Sequence, residues 1–370
     1  MITPGDEYPL HLSSRPVRDP GTDRNLYDRF FFNGYPQSPA TSGVQFFAAA
    51  FGTYPGRNVV DAAFSVIVDG VQHNVRGSRI MGDDRLDLRC GPVTVTIVEP
   101  LRQLRLSVDS PESGISADLL FTARGPHFEE PHYRWTPGHR TLMDITRMTQ
   151  NGTWSGSITV GGVITPIDAQ QWWGGRDRSW GIRGVGQREE PGSPDSLWSP
   201  GFYWLWAPMN LQDEVVLFDV NEYPDGSRWH QNASIAPAGG TVTETKHGLH
   251  TYDIDWKPGT RHASAFTVDM VFPGGLSRQY KLQGELTFYM QGIGYGHSQW
   301  GHGMWVGPNE RSYDSIELDS VNEADPLFQH VQILSTITRN DGAPGMGILE
   351  MLLIGPHQPS GFQEALDMHA

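Results

Sequence analysis

One cysteine, Cys90, stands in 370 residues. That scarcity excludes an internal disulfide framework and any cysteine-based zinc cluster. Basic residues are few: 27 Lys and Arg against 42 Asp and Glu give a net charge of −15. Nucleic acid and anionic membrane surfaces are held by clustered Lys and Arg, so neither is an expected partner. Long apolar runs are missing too. Stretches such as Met351–Gly355 (MLLIG) fall far short of the roughly 20 residues of a membrane-spanning helix. The N-terminal MITPGDEYPLHLSSRP has no apolar stretch of the signal-peptide kind. No integral membrane association and a cytoplasmic location are therefore expected.

Sustained helical periodicity is also hard to find. What recurs is short alternating or β-branched stretches: Ala63–Val71, Val93–Val98, Leu104–Val108, Ser157–Ile167, Val215–Val220 and Lys281–Met290. Most are bounded by Gly, Pro, Asp or Asn, as strands joined by tight turns are. With 43 Gly and 27 Pro, the chain reads as mostly β, a barrel or sandwich architecture. Gln187–Pro200 (QREEPGSPDSLWSP) is the clearest linker, separating an N-terminal β domain, 1–188, from a C-terminal one, 200–370.

The most unusual stretch is residues 171–181, QWWGGRDRSWG. A hairpin over Ser157–Ile167 precedes it. After the linker comes Gly201–Gly226, GFYWLWAPMNLQDEVVLFDVNEYPDG. This order of motifs resembles the AttH-like and carotenoid hydratase superfamily of double lipocalin-like proteins. Gly292–Gly303 (GIGYGHSQWGHG) looks similar to that family's "G-x-G-Y-x-E" strand, with Gly296-His297 where relatives carry the glutamate. The resemblance implies two consecutive lipocalin-like antiparallel β-barrels. It also implies acid chemistry on carbon–carbon double bonds, with Asp177 as the acid and Trp173, Trp180 and Trp204 as lining.

Physical chemistry says what such an aspartate can do. A lone carboxyl in an apolar cavity is desolvated and stays protonated closer to neutral pH. Aromatic faces stabilise the carbocation that alkene protonation creates. In a regular strand Asp177 shares a face with Trp173 and Ser179, while Trp172, Arg176, Arg178 and Trp180 take the other. Gly174-Gly175 invites a bulge that changes this register. Either the acid or the arginine pair then faces the cavity. If Asp177 pairs with an arginine, the motif is a structural clasp instead.

Four further regions supply candidates. His297 is a potential base or proton relay. His297 and His302 are five apart, on opposite faces of a regular strand, so no metal pair is read there; Tyr295 and Trp300 flank them as ligand contacts. Pro126–Trp135 (PHFEEPHYRW) reads as a loop that lines the rim with charge, with catalytic assistance from Glu130 or His132 as the alternative. His127, Glu130 and His132 match no strong metal motif. Phe202, Trp204 and Trp206 alternate on one strand face as a core stripe, with Tyr203 a further contact. Asp23–Tyr35 reads as an aromatic strap across a barrel end. No metal or cofactor is expected.

Three function classes follow: a hydratase, cyclase or isomerase acting on an apolar unsaturated terpenoid- or polyketide-like molecule; a carrier for a lipophilic ligand, with Asp177 locked to arginine; and a carbohydrate-active β protein, which needs an open groove and paired acids. The expected partner is a hydrophobic small molecule, and a homodimer is compatible with the sequence.

Overall fold

The computed structural model describes residues 1–11, 22–136, 141–187 and 201–369. Of the expected linker only Gln187 lies within the described residues. Among these residues helix is confined to short 3-10 turns, and two nearly closed antiparallel barrel sheets carry the chain. Each alternating stretch picked out above lies in a strand or hairpin.

The first sheet runs from Val71–Ile80 through Val59–Val68, Val44–Tyr54, Leu26–Pro36, Trp172–Ile182 and Met143–Val160 to Arg89–Cys90. It curls until its ends meet: Cys90 Sγ donates to the Val60 carbonyl at 3.3 Å, and a Cβ on Gly77 would lie 2.6 Å from the Gly91 Cα. Only glycines allow that approach. One strand from the C-terminal half, Asn309–Glu317, pairs with Val71–Ile80 on this sheet. The second sheet centres on Phe202–Leu211, flanked by Glu214–Glu222 and Pro344–Ile354. Arg228 Nη1 bridges its margins by donating to the His250 carbonyl at 2.8 Å.

Side-chain alternation decides what lies inside each barrel and what lies between them. On Leu26–Pro36, Phe30 and Phe32 enter the first barrel's core, whereas Phe31 and Tyr35 face the second barrel. This segment is thus a strand paired on both sides, not the strap expected from its aromatics. Phe31, Tyr35, Trp173, Trp206 and Leu217 belong to an apolar cluster between the barrels. Polar clasps secure the same junction. Asn33 accepts from Gly175 N at 2.8 Å and donates to Gln332 at 3.2 Å, while Asn210 donates to Tyr35 and to the Gly174 carbonyl.

Trp172–Ile182 stays in unbroken register with both neighbours. Gly174-Gly175 therefore makes no bulge. A Cβ on Gly174 would meet the Asn33 carbonyl at 2.1 Å and the Trp154 indole nitrogen at 2.5 Å, so close packing accounts for the glycine. Unbroken alternation sends Trp172, Arg176 and Arg178 into the first barrel and Trp173 and Asp177 toward the second.

Candidate functional site

Where the two barrels part, a cavity of about 440 Å³ opens between them. It lies at the barrel junction, outside both barrel cores. Strands of the first sheet contribute Arg29, Arg147 and Asp177; the second contributes Trp204. The segment after Ser277–Tyr289 folds over it as turns carrying Tyr295, His297 and His302. Gly292–Gly303 is therefore a loop, not the strand its likeness suggested, and strand alternation does not apply: His297 and His302 both line the cavity.

Asp177 is the only carboxylate among the described lining residues. It sits opposite Phe31 on one side and Thr149 on the other, and the Ser179 hydroxyl donates to it at 3.3 Å. Among the described residues it forms no ion pair. The neighbouring arginines are engaged inside the first barrel. Arg176 forks onto Glu7 at 2.7 and 2.8 Å, and Arg178 pairs with Asp28. Burial pushes the Asp177 carboxyl above the usual aspartate range, against the pull of Arg147 and Arg29, with Glu350 adding to the rise.

Aromatic groups line the same cavity. Trp204 presents its ring to Arg147, 5.3 Å from the guanidinium carbon. Tyr295 packs edge-on to His302 and His330, with centroids 4.6 and 4.4 Å apart. Burial pushes His302 down to about 3, with the Arg29 charge reinforcing it. Burial also lowers His297, whose Nδ1 accepts from the Gln299 and Trp300 backbone amides at 3.2 and 3.1 Å. Both imidazoles are thus held neutral.

His330 and Arg29 line the cavity and escaped the sequence reading. His330 Nε2 bonds Glu350 at 2.6 Å, and its Nδ1 has no hydrogen-bond partner among the described residues. The two residues are 20 apart in the chain, brought together as Val331–Arg339 pairs with Pro344–Ile354, with no local motif to announce them.

Several expected contacts lie elsewhere. Trp173 packs in the inter-barrel cluster under Arg124. Trp180 stacks on His11 at 3.8 Å, on the face opposite Asp177. Tyr203 points into the second barrel's core, stacked on His357, because alternation gives it the face that Trp204 does not use. Trp300 lines a separate small crevice beside Asp61 and Arg76. The Phe202–Trp206 stripe divides: Phe202 and Trp204 line the cavity, while Trp206 is buried and donates to Thr149 at 3.1 Å.

Pro126–Trp135 is not a free loop; Phe128–Glu129 and Tyr133–Trp135 both pair with Met143–Val160. His132 is on the surface, 2.7 Å from Asp144. Glu130 is buried behind the cavity, accepting from Arg147 and Thr149 at 2.6 Å each. Its link to the cavity lining runs through Arg147. Glu130, Asp219 and His230 bring ligand-type atoms within 4.8 Å of one another. Protein donors already occupy those oxygens: His230 bonds one Asp219 oxygen at 2.5 Å and Asn232 donates to the other at 3.2 Å. The cluster is an internally satisfied ion network.

Solved structures that share this fold include an AttH-type protein from Nitrosomonas europaea, 13% identical, covering 88% of this chain and 92% of its own, with a TM-score of 0.53. Kievitone hydratase from Nectria haematococca is also 13% identical, covering 88% of each chain, with a TM-score of 0.50. The fold is the AttH-like double lipocalin-like one. No curated protein matches the chain in sequence. A family profile described as "Family of unknown function (DUF8625)" matches residues 2–363.

Proposed function

We propose that this chain, which belongs to the DUF8625 family, is an acid–base enzyme that protonates a carbon–carbon double bond of an apolar, unsaturated small molecule. One observation carries the reading: Asp177 faces a cavity lined in part by aromatic groups, while its chain neighbours Arg176 and Arg178 are paired inside the first barrel. A protonated carboxyl so placed is a general acid.

The proposed step begins with Asp177 giving its proton to one alkene carbon. The π pair forms the new C–H bond and leaves a cation on the other carbon. Trp204 and Tyr295 offer π faces to that cation, each worth up to about 2 kcal/mol in a water-poor site. Water then adds, an internal double bond closes a ring, or a neighbouring proton is lost. His330, backed by Glu350, is the base we assign to the last proton. These endings correspond to hydration, cyclisation and isomerisation. Kievitone hydratase, a fold neighbour by structure, agrees with the first as fold-level analogy. A cytoplasmic location belongs to the same proposal.

The carrier reading needs Asp177 locked to arginine, and the carbohydrate reading needs paired acids; among the described residues neither arrangement lines this cavity. The test is turnover of a panel of isoprenoid and polyketide alkenes in D2O. Deuterium entering product carbon with the wild type, and not with Asp177→Asn, supports the reading. Equal incorporation by both proteins sinks it.

A further inference from the structure

Arg29 is 2% exposed and lines the cavity. Its Nη1 donates to the Tyr295 hydroxyl at 2.8 Å. Its Nε and Nη2 are buried without a hydrogen-bond partner, and no ion pair reaches it among the described residues. A buried donor left unsatisfied costs about 1–3 kcal/mol, more when charged, and arginine does not escape by losing its proton. Nε and Nη2 form one edge of the guanidinium, the fork that takes a carboxylate through two parallel hydrogen bonds.

Asp177 and Asp61 act on Arg29 through charge at longer range, but among the described residues neither forms an ion pair with it. Arg147, a second lining cation, is paired from behind by Glu130. Arg183, a third, rests over the Tyr27 ring at 4.6 Å. Asp177 stands across from Phe31 rather than Arg29, whose own partner in register is Ser179, and it makes no ion pair with Arg29.

We propose that the ligand of this cavity carries a carboxylate, seated on the Nε/Nη2 edge of Arg29 with Arg183 as the second cation. The inference rests on the cavity being the substrate site, as proposed above, and adds what the substrate must bear: an unsaturated acid rather than a neutral hydrocarbon. A ligand carboxylate there also opposes ionisation of Asp177, since like charges disfavour one another at close range. Substrate binding and readiness of the acid are then coupled.

The test compares farnesoic acid with its methyl ester, matched in shape and differing in charge, by calorimetric titration of wild type, Arg29→Met and Asp177→Asn. The wild type should bind the acid at least about tenfold tighter than the ester, the equivalent of about 1.4 kcal/mol. Arg29→Met should erase that preference, and Asp177→Asn should keep it. Equal affinity for acid and ester in the wild type overturns the proposal without recourse to any variant, as does failure of the acid to bind. So does an acid preference that survives in Arg29→Met. Acid preference retained by an Asp177→Asn protein as active as wild type upholds the carboxylate site while sinking the acid chemistry, so the two ideas fail separately.

Discussion

Asp177 and Arg178 are adjacent in the chain yet occupy opposite sides of one barrel wall. Arg178 lies within the first barrel, paired with Asp28 and 4.3 Å from the Phe30 ring. Asp177 faces the junction with the second barrel. The acid is therefore denied its nearest cation by strand alternation alone, and that denial lets burial govern its protonation.

Asp177→Asn should lower turnover by about 10²–10⁴-fold, the usual worth of a general acid, with ligand binding retained. The wild-type rate should fall as pH rises through the raised Asp177 pKa, because the protonated form is the donor. Product formation across a pH series, wild type beside variant, checks both.

The same group predicts a stability effect. Its folded pKa lies above the ordinary aspartate value of about 3.9, so between those two values the folded chain binds more protons than the unfolded one. Stability contributed by this group is present below the unfolded value and is lost as pH rises through the folded one. Asp177→Asn should accordingly raise the denaturation midpoint at about pH 8 and match wild type at about pH 4.

Glu7 and Arg176 form an ion pair with both side chains fully buried. Burial opposes the Glu7 charge, and Arg176 and Arg178 outweigh it, holding the carboxyl below the usual range. Removing one partner of such a pair costs about 3–5 kcal/mol. Glu7→Gln should show that loss in chemical denaturation at neutral pH. The stability Glu7 supplies is present above the unfolded carboxylate pKa and is lost as pH falls through its lowered folded value, so variant and wild type should converge in acid.

Trp204→Leu should slow the chemical step by about tenfold or more, the equivalent of about 1.4 kcal/mol of lost cation stabilisation. Trp204→Phe should recover part of it. Single-turnover rates, which exclude product release, are the measurement. No difference between Leu and Phe would count against a cationic intermediate at this ring.

Gly174→Ala should destabilise by about 1–3 kcal/mol, the range for overpacking, because its Cβ collides with the Asn33 carbonyl and the Trp154 ring. Equilibrium denaturation reads the cost. Gly162→Ala is the comparison: it has φ +83° at a hairpin tip with nothing within 4 Å of its Cβ position, so any loss there reports backbone strain without collision.

Much of this protein was legible as sequence because strand formation is local. Alternation and turn residues located the strands, and the Trp-Gly-Arg-Asp stretch marked the wall that carries Asp177. Alternation even stated the choice between Asp177 and the arginine pair. It could not make the choice, since which face of a strand meets a second barrel depends on partners distant in the chain. For the same reason the sequence placed Trp173, Trp180, Tyr203 and Trp300 at the site, although they pack elsewhere. It also overlooked His330 with Glu350, and Arg29 beneath Tyr295, 266 residues away. Composition and periodicity determined the β architecture. Which side chains share the cavity, and which charges lack an ion-pair partner in it, was decided only when two curved sheets packed together and brought groups distant in the chain to one junction.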